Sequence, residues 1–418
     1  MHLNVDLDHM PDAIRQAKNH LLSQGADLKQ AFREMSAALQ EEMAEIRALR
    51  DAGQPVIPEL EFADIRQGNI TDAQKALVKK RGCVVIRGTF PPAQVAGWNE
   101  QIGAYVQNNG YYETPDKGLD RYFSSLQQGK PQIFSIYWSK PQMEARQHEN
   151  IAQARRFLNR LWAYQQDDGT TVFDPDRECT YADRTRRREP GDHSFGLKPH
   201  IDGGSVERWL DRGGFHQVYR HLISGNWQAY DPYDAAYRTQ TREIPSPAVC
   251  SMFRTFQGWT ALTQQGPGDG TLQLIPSPRV VAWMFLRALQ DDVADDELCG
   301  AAPGRALLCG PTWHALALEG LCSIPLMQPG DTVWWHPDLV HSVEDQHNGS
   351  GYSNVIYIGA APYCEKNAAY LPRQAAAFKA GESAPDFAPE HYELDYQGRA
   401  TEADLTELGK KQMGLLPW

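Results

Sequence analysis

With 418 residues and 41% hydrophobic content, the chain is long enough for one large core or two modest ones. Its formal charge of -12 sets an average field that repels nucleic acid and anionic membrane surfaces, so small molecules are the expected partners, with no nucleic acid and no membrane. No run approaches the roughly 18 apolar residues that span a bilayer. The opening MHLNVDLDHMPDAIRQ also lacks a basic segment followed by an apolar one, so a cytoplasmic location is expected.

In chain order, Leu28, Ala31, Phe32, Met35, Leu39, Met43, Ile46 and Leu49 recur at helical spacing and predict a long amphipathic helix packed on the main domain. Thr71 with Gln74 three residues on is a capping box, Gly82 is placed to stop that helix, and Cys83 to Gly88 is a β-branched run that reads as a strand. PPAQVAGW then starts another helix with prolines at its entrance. Between Met143 and Gln165, Ile151, Ala154, Phe157, Leu158, Leu161 and Trp162 share a face, which predicts a second long helix. From Cys179 onward the texture changes to short strand-like runs, VVAWMF, CSIPLM, DTVWWH and NVIYIG, divided by Gly, Pro, Asp and Asn. The run VVAWMFLRAL fits a helix equally well, with Trp283, Leu286 and Leu289 inward. The expected class is α+β. A helix-rich region (1–170) with at least one strand packs on an antiparallel barrel (171–365), and a C-terminal extension (366–418) follows. The seven cysteines are scattered and include no CxxC pair, so they read as reduced thiols.

The chemistry concentrates in RTRRREPGDHSFGLKPHIDGG, Arg184 to Gly204, where His200 and Asp202 stand two residues apart in an extended segment. Side chains alternate with period two along a strand, so both reach the same side and can hold one metal ion. An imidazole and a carboxylate are two of the three ligands of a facial iron triad whose opposite face stays open. The third ligand must come from elsewhere. In QPGDTVWWHPDLVHSVED, His336 and His341 compete for that place; five residues apart, they would face opposite sides of an unbroken strand. His193, His216, His221, His314 and His347 lack a partner at ligand spacing and read as satisfied or surface imidazoles. Trp334, Trp335, Tyr352 and Tyr357 read as barrel core. No phosphate loop, nucleophile elbow or HExxH occurs.

Three segments, PHIDG, GWTALTQQGPGDGTLQLIPSP and GDTVWWHPDLVHS, together resemble the phytanoyl-CoA dioxygenase-like branch of the Fe(II)/2-oxoglutarate oxygenases. They span about residues 200 to 360. The resemblance implies a double-stranded β-helix (a jelly-roll, cupin-like barrel), Fe(II) held by His200, Asp202 and His341, and 2-oxoglutarate as cosubstrate with dioxygen for the oxidation of a small molecule. His341 lies 141 residues beyond His200 (341 − 200), a long gap that implies insertions, for which Glu207 to Thr241 and Asp291 to Trp313 are candidates. Two other readings use the same barrel: a cupin-like metalloenzyme without 2-oxoglutarate, and a non-catalytic module that binds a small carboxylate.

The sequence departs from the family at one point. The usual arginine about a dozen residues beyond the distal histidine is absent, Ser353 or its neighbours stand there, and no Arg or Lys occurs from Ser342 to Glu365. A buried cosubstrate carboxylate needs a cation, and Arg254 is the first candidate, Arg279 the second. Arg184, Arg186 and Arg188 share one face of a strand. Turned inward they would meet an acidic substrate or the cosubstrate; turned outward or mixed, the favoured expectation, they would pair with the acidic surface.

Overall fold

The computed structural model describes residues 2–115, 117, 119, 132–192, 196–247 and 249–418, so His193 lies outside the described residues. The described strands are β1 (Glu59–Glu61), β2 (Cys83–Arg87), β3 (Ile133–Phe134), β4 (Asp174–Cys179), β5 (Thr185–Arg188), β6 (His200–Ile201), β7 (Phe256–Ala261), β8 (Leu272–Leu274), β9 (Leu307–Leu308), β10 (Cys322–Ser323), β11 (Thr332–Trp335), β12 (His341–Val343) and β13 (Ser353–Tyr363). They form two sheets. The larger has the order β1-β2-β11-β7-β13-β5-β3, with β4 also pairing β13, and the smaller runs β10-β8-β12-β6-β9. Every pairing is antiparallel except β1 with β2. The fold is mixed α+β, with helices flanking both sheets.

Alternation along the strands sorts the side chains into layers. Cys83, Val85, Trp259, Val333, Trp335 and Val355 from the large sheet share one buried cluster with Leu272, Leu274 and Cys322 from the small sheet, so the two sheets face each other. The intervening residues Val84, Ile86, Phe256, Trp334 and Ile356 point the other way, onto the helices Pro92–Asn108 and Glu149–Asn159. Outside the small sheet, Ile201, Ile275 and Val340 pack with the helices Leu28–Asp51 and Val280–Arg287.

The predicted N-terminal helix spans Leu28–Asp51, capped by the Asp27 carboxylate, which accepts from the Gln30 N–H at 2.8 Å. It buries Leu28, Ala31, Met35, Leu39, Met43 and Ile46, each of the larger ones contributing about 1.5–3 kcal/mol. The capping box at Thr71 and the left-handed Gly82 (φ 69°) bound the helix Asp72–Arg81. VVAWMFLRAL resolves as a helix, Val280–Arg287.

Two readings are corrected. The single helix expected over Met143–Gln165 is two, Lys140–Gln147 and Glu149–Asn159, because His148 between them is extended (ψ 137°) and caps the second by accepting from the Asn150 N–H. The apolar spacing suits both pieces and carries no sign of the break. Tyr352 is 41% exposed, its ring lying under the Arg187 guanidinium at 5.7 Å, rather than core. All seven cysteines are free thiols.

Candidate metal centre

β6 and β12 are antiparallel neighbours in the small sheet, with His200 directly opposite His341. Their rings lie 4.4 Å apart. Asp202 follows His200 by two residues and points to the same side, placing Oδ1 3.2 Å from His200 Nε2 and 3.6 Å from His341 Nε2. One ligand atom from each residue lies within 4.8 Å of the other two.

The tautomers follow from the second ring nitrogen. His200 Nδ1 meets the Lys198 carbonyl at 2.6 Å and His341 Nδ1 the Leu339 carbonyl at 3.1 Å. A carbonyl has no proton to give, so each Nδ1 donates and each Nε2 presents a lone pair toward the cluster. Burial pushes the His341 imidazole below its ordinary pKa, and His200 beside it adds to that effect against the opposing Asp202. Burial alone would raise the Asp202 carboxyl, but when the rings carry a proton at Nε2 as well, His341 and His200 outweigh burial and hold it well below the usual carboxylate range; the neutral rings leave both Nε2 lone pairs for a metal. The result is imidazole nitrogen and carboxylate oxygen converging from one side, a donor set that suits a divalent first-row metal and leaves its other face open.

His336 is not part of this group. It stacks on Trp162 at 4.8 Å in the layer behind the large sheet, its Nε2 bonds the Pro232 carbonyl, and its Nδ1 accepts from the Asp338 N–H.

The cluster opens into a cavity with apolar walls from Leu197, Trp259, Leu272, Trp335 and Tyr357. Arg184, Arg186 and Arg254 reach the same cavity. The outward or mixed expectation for the arginine strand is therefore corrected. Arg184, Arg186 and Arg188 are 7%, 2% and 0% exposed, because β5 is covered by β13 on one side and β3 on the other, and its inward face follows that of Val355. The intervening Arg187 turns the opposite way, to Asn99. Arg188 donates to the carbonyls of Gly270, Glu344 and Asp345 and pairs with Asp192, which accounts for it structurally. Arg184 stacks on Phe387 at 4.6 Å.

Arg186 differs. One Nη2 donates to both Gln265 Oε1 and Ser353 Oγ at 3.1 Å, its buried Nε has no partner, and no carboxylate among the described residues lies within 4.0 Å. Burial pulls its pKa down, and Arg188 nearby lowers it further. Ser353 thus contributes a hydroxyl that holds the arginine of the neighbouring strand. Arg254 lies 3.9 Å from Asp202 Oδ2, over the Tyr181 ring. Arg279, the second residue expected to meet the cosubstrate, is instead exposed at the start of the helix Val280–Arg287 and does not line the cavity.

Gln257 and Gln265 were missed. Both are buried amides: Gln257, on β7, lines the cavity of the metal ligands, and Gln265, beyond β7, accepts from Arg186. The available signal was parity: Gln257 shares the strand face of Trp259.

A mixed α+β fold with a His-Asp-His cluster between facing sheets defines a candidate metalloprotein. The chain belongs to the Gig2-like family, whose sequence model matches residues 8–415, and that family rather than the phytanoyl-CoA dioxygenase-like branch is the one matched. It is 45% identical to the uncharacterised YbiU of Escherichia coli K12 over 405 residues, 96% of each chain. It is 44% identical to a Salmonella typhimurium LT2 protein provisionally called an oxidoreductase, whose crystal structure superposes with TM-score 0.93 over 99% of this chain and 98% of that one. The crystal structure of GlcNAc Inducible Gene 2 from Candida albicans is 26% identical with TM-score 0.83, over 100% and 91%. No described helix is long and apolar enough to cross a membrane.

Proposed function

We propose that this protein is a non-haem Fe(II) oxygenase that uses 2-oxoglutarate and dioxygen to oxidise a small molecule, built on a double-stranded β-helix. The observation that carries the reading is a juxtaposition. His200, Asp202 and His341 share a cavity with a buried, incompletely satisfied arginine, Arg186, which bonds Ser353, near where the resembled Fe(II)/2-oxoglutarate oxygenases carry their arginine. On this reading the cation for the cosubstrate comes from β5, the strand beside β13. The oxidoreductase description of the Salmonella relative agrees with this reading.

Bound iron with 2-oxoglutarate and dioxygen supplies the oxidising chemistry. The chain's own task is to hold the metal by two imidazoles and a carboxylate, and to seat the cosubstrate's far carboxylate on Arg186. Trp259, Leu272 and Tyr357 exclude water from the space between. A guanidinium forks bidentately onto a carboxylate, and in a buried setting such a charge-assisted pair is strong.

Anaerobic addition of Fe(II) and 2-oxoglutarate should give the weak visible charge-transfer band of a chelated keto acid. No band from protein with stoichiometric iron would sink the 2-oxoglutarate reading and favour a cupin-like metalloenzyme. Failure to bind a metal at all, with a small carboxylate still held, would favour the non-catalytic module.

A further inference from the structure

The metal cavity is one of three hollows that meet at a single side chain. Arg254 lines the cavity of His200, Asp202 and His341, a second walled by Phe215, Glu243 and Lys366, and a third between Tyr181, Asp386 and Phe387. Its side chain is 9% exposed. Among the described residues it makes no hydrogen bond, and its one ion pair is the long contact to Asp202 Oδ2 at 3.9 Å. Arg186 faces the first hollow only, and in the second and third hollows charges are already matched. Lys366 bonds Glu243 at 2.6 Å, Arg208 and Arg238 both hold Asp338, and Asp386 accepts from the Ser251 N–H and hydroxyl.

Three residues on, Gln257 lies where the first two hollows adjoin. It is 2% exposed, and neither its amide nitrogen nor its amide oxygen has a partner. A buried amide left open at both ends is rare in a folded protein and calls for a ligand or water.

We propose that Arg254 and Gln257 form the pocket for the prime substrate, a small carboxylate-bearing molecule that also carries a carboxamide-like group offering one donor and one acceptor. The role of this pocket rests on the iron and 2-oxoglutarate reading, and it leaves Arg186 to the cosubstrate. The Tyr181 ring lies 5.2 Å beneath the Arg254 guanidinium, whose planar fork suits a carboxylate. Asp183, Asp202 and Asp386 around the same junction oppose a dianionic phosphate. A molecule anchored on Arg254 sits beside a metal ligand, within reach of the open face.

The test uses the full chain loaded with Mn(II) and N-oxalylglycine, a non-reacting analogue that occupies the cosubstrate place. The probes are ω-amido carboxylates from malonamate to adipamate, each beside its neutral diamide and its amide-free monocarboxylate, titrated by calorimetry. At least one amido acid should bind, with its diamide weaker by about tenfold or more, because a site built for a polar group rejects the analogue lacking it. Arg254→Met should weaken the amido acid by about tenfold or more, and Arg254→Lys by less, since the charge remains without the fork. Gln257→Leu should abolish the preference for amido acid over plain acid. Each variant should keep wild-type Mn(II) content by electron paramagnetic resonance and wild-type N-oxalylglycine affinity. Equal binding of acid and diamide, or no binding by any member of the series, would overturn the proposal. So would loss of N-oxalylglycine from Arg254→Met, which would make Arg254 the cosubstrate's anchor instead. If the wild type takes Mn(II) but not N-oxalylglycine, the cosubstrate reading fails on its own, and the same titrations on the Mn(II) form decide the pocket.

Discussion

Two groups of buried arginines lie close to one another in this molecule, and they are built on opposite terms. Around Asp338, Arg208 and Arg238 contact the two carboxylate oxygens at 2.9 and 2.6 Å, and their remaining donors meet the carbonyls of Gly204, Asp234 and Pro232 and the hydroxyl of Tyr219. Arg186 and Arg254, beside the metal cluster, have an unpartnered Nε in one case and no hydrogen bond in the other. Burial and charge are common to both groups. What separates them is closure: the first consumes its hydrogen-bonding capacity internally, whereas the second directs it into a cavity. A closed cluster serves the fold, and breaking it leaves an uncompensated charge; an open one awaits a ligand, and removing it costs the fold little.

The largest effect should come from the closed group. Asp338→Asn leaves two arginines buried without their carboxylate, and urea unfolding should show a loss of about 3–5 kcal/mol. A loss under about 1 kcal/mol would mean the carbonyls suffice and the contrast is false. Acid should probe the same contact without mutation. Burial would raise the Asp338 carboxyl, but Arg238 and Arg208 hold it far below its ordinary value. A depressed folded pKa contributes stability that is fully present above the unfolded value of about 3.9. That part is lost as pH falls below about 4, and Asp338→Asn should flatten this limb of the stability curve.

The open group should behave in reverse. Arg186→Met removes a buried cation that lacks a carboxylate, so stability should stay within about 1 kcal/mol of wild type or rise slightly. N-oxalylglycine binding to the Mn(II) form should instead weaken by about 30-fold or more, equivalent to some 2 kcal/mol. Calorimetry reads both sides. A destabilised variant that still binds the analogue would place Arg186 with the structural group and return the cosubstrate to Arg254.

These groups differ in how far the sequence disclosed them. His200 and Asp202 are legible because two residues on a strand share a side, a local rule. The partnership of Arg186 with Ser353 is not local: it depends on β5 lying beside β13 in a register that sets Arg186 against Val355. Nothing in RTRRREP specifies that register, and an isolated basic strand reads as surface. Arg279 is suggested by its place in the chain, but it stands exposed at the N-cap position of a helix, away from the cavity. The helix break at His148 was invisible because both helices bury the same kind of residue at the same spacing. The pattern of apolar residues reports which face is buried. It does not report which polar side chains will be brought opposite one another.

Ser353→Ala offers the finest cut between closed and open. The hydroxyl donates to Gln265 Oε1 at 2.6 Å and accepts from Arg186 Nη2, and Gln265 Oε1 accepts from the same Nη2. Removing the hydroxyl therefore leaves Nη2 one acceptor, so the guanidinium is loosened rather than released. A neutral hydrogen bond contributes about 0.5–1.5 kcal/mol. N-oxalylglycine should accordingly bind roughly 3- to 10-fold more weakly than to wild type, with metal content unchanged. An effect as large as that of Arg186→Met would show that Ser353 itself contacts the carboxylate. No effect would show that Gln265 alone positions Arg186, and the serine on β13 would then be a remnant of the strand pairing rather than part of the anion site.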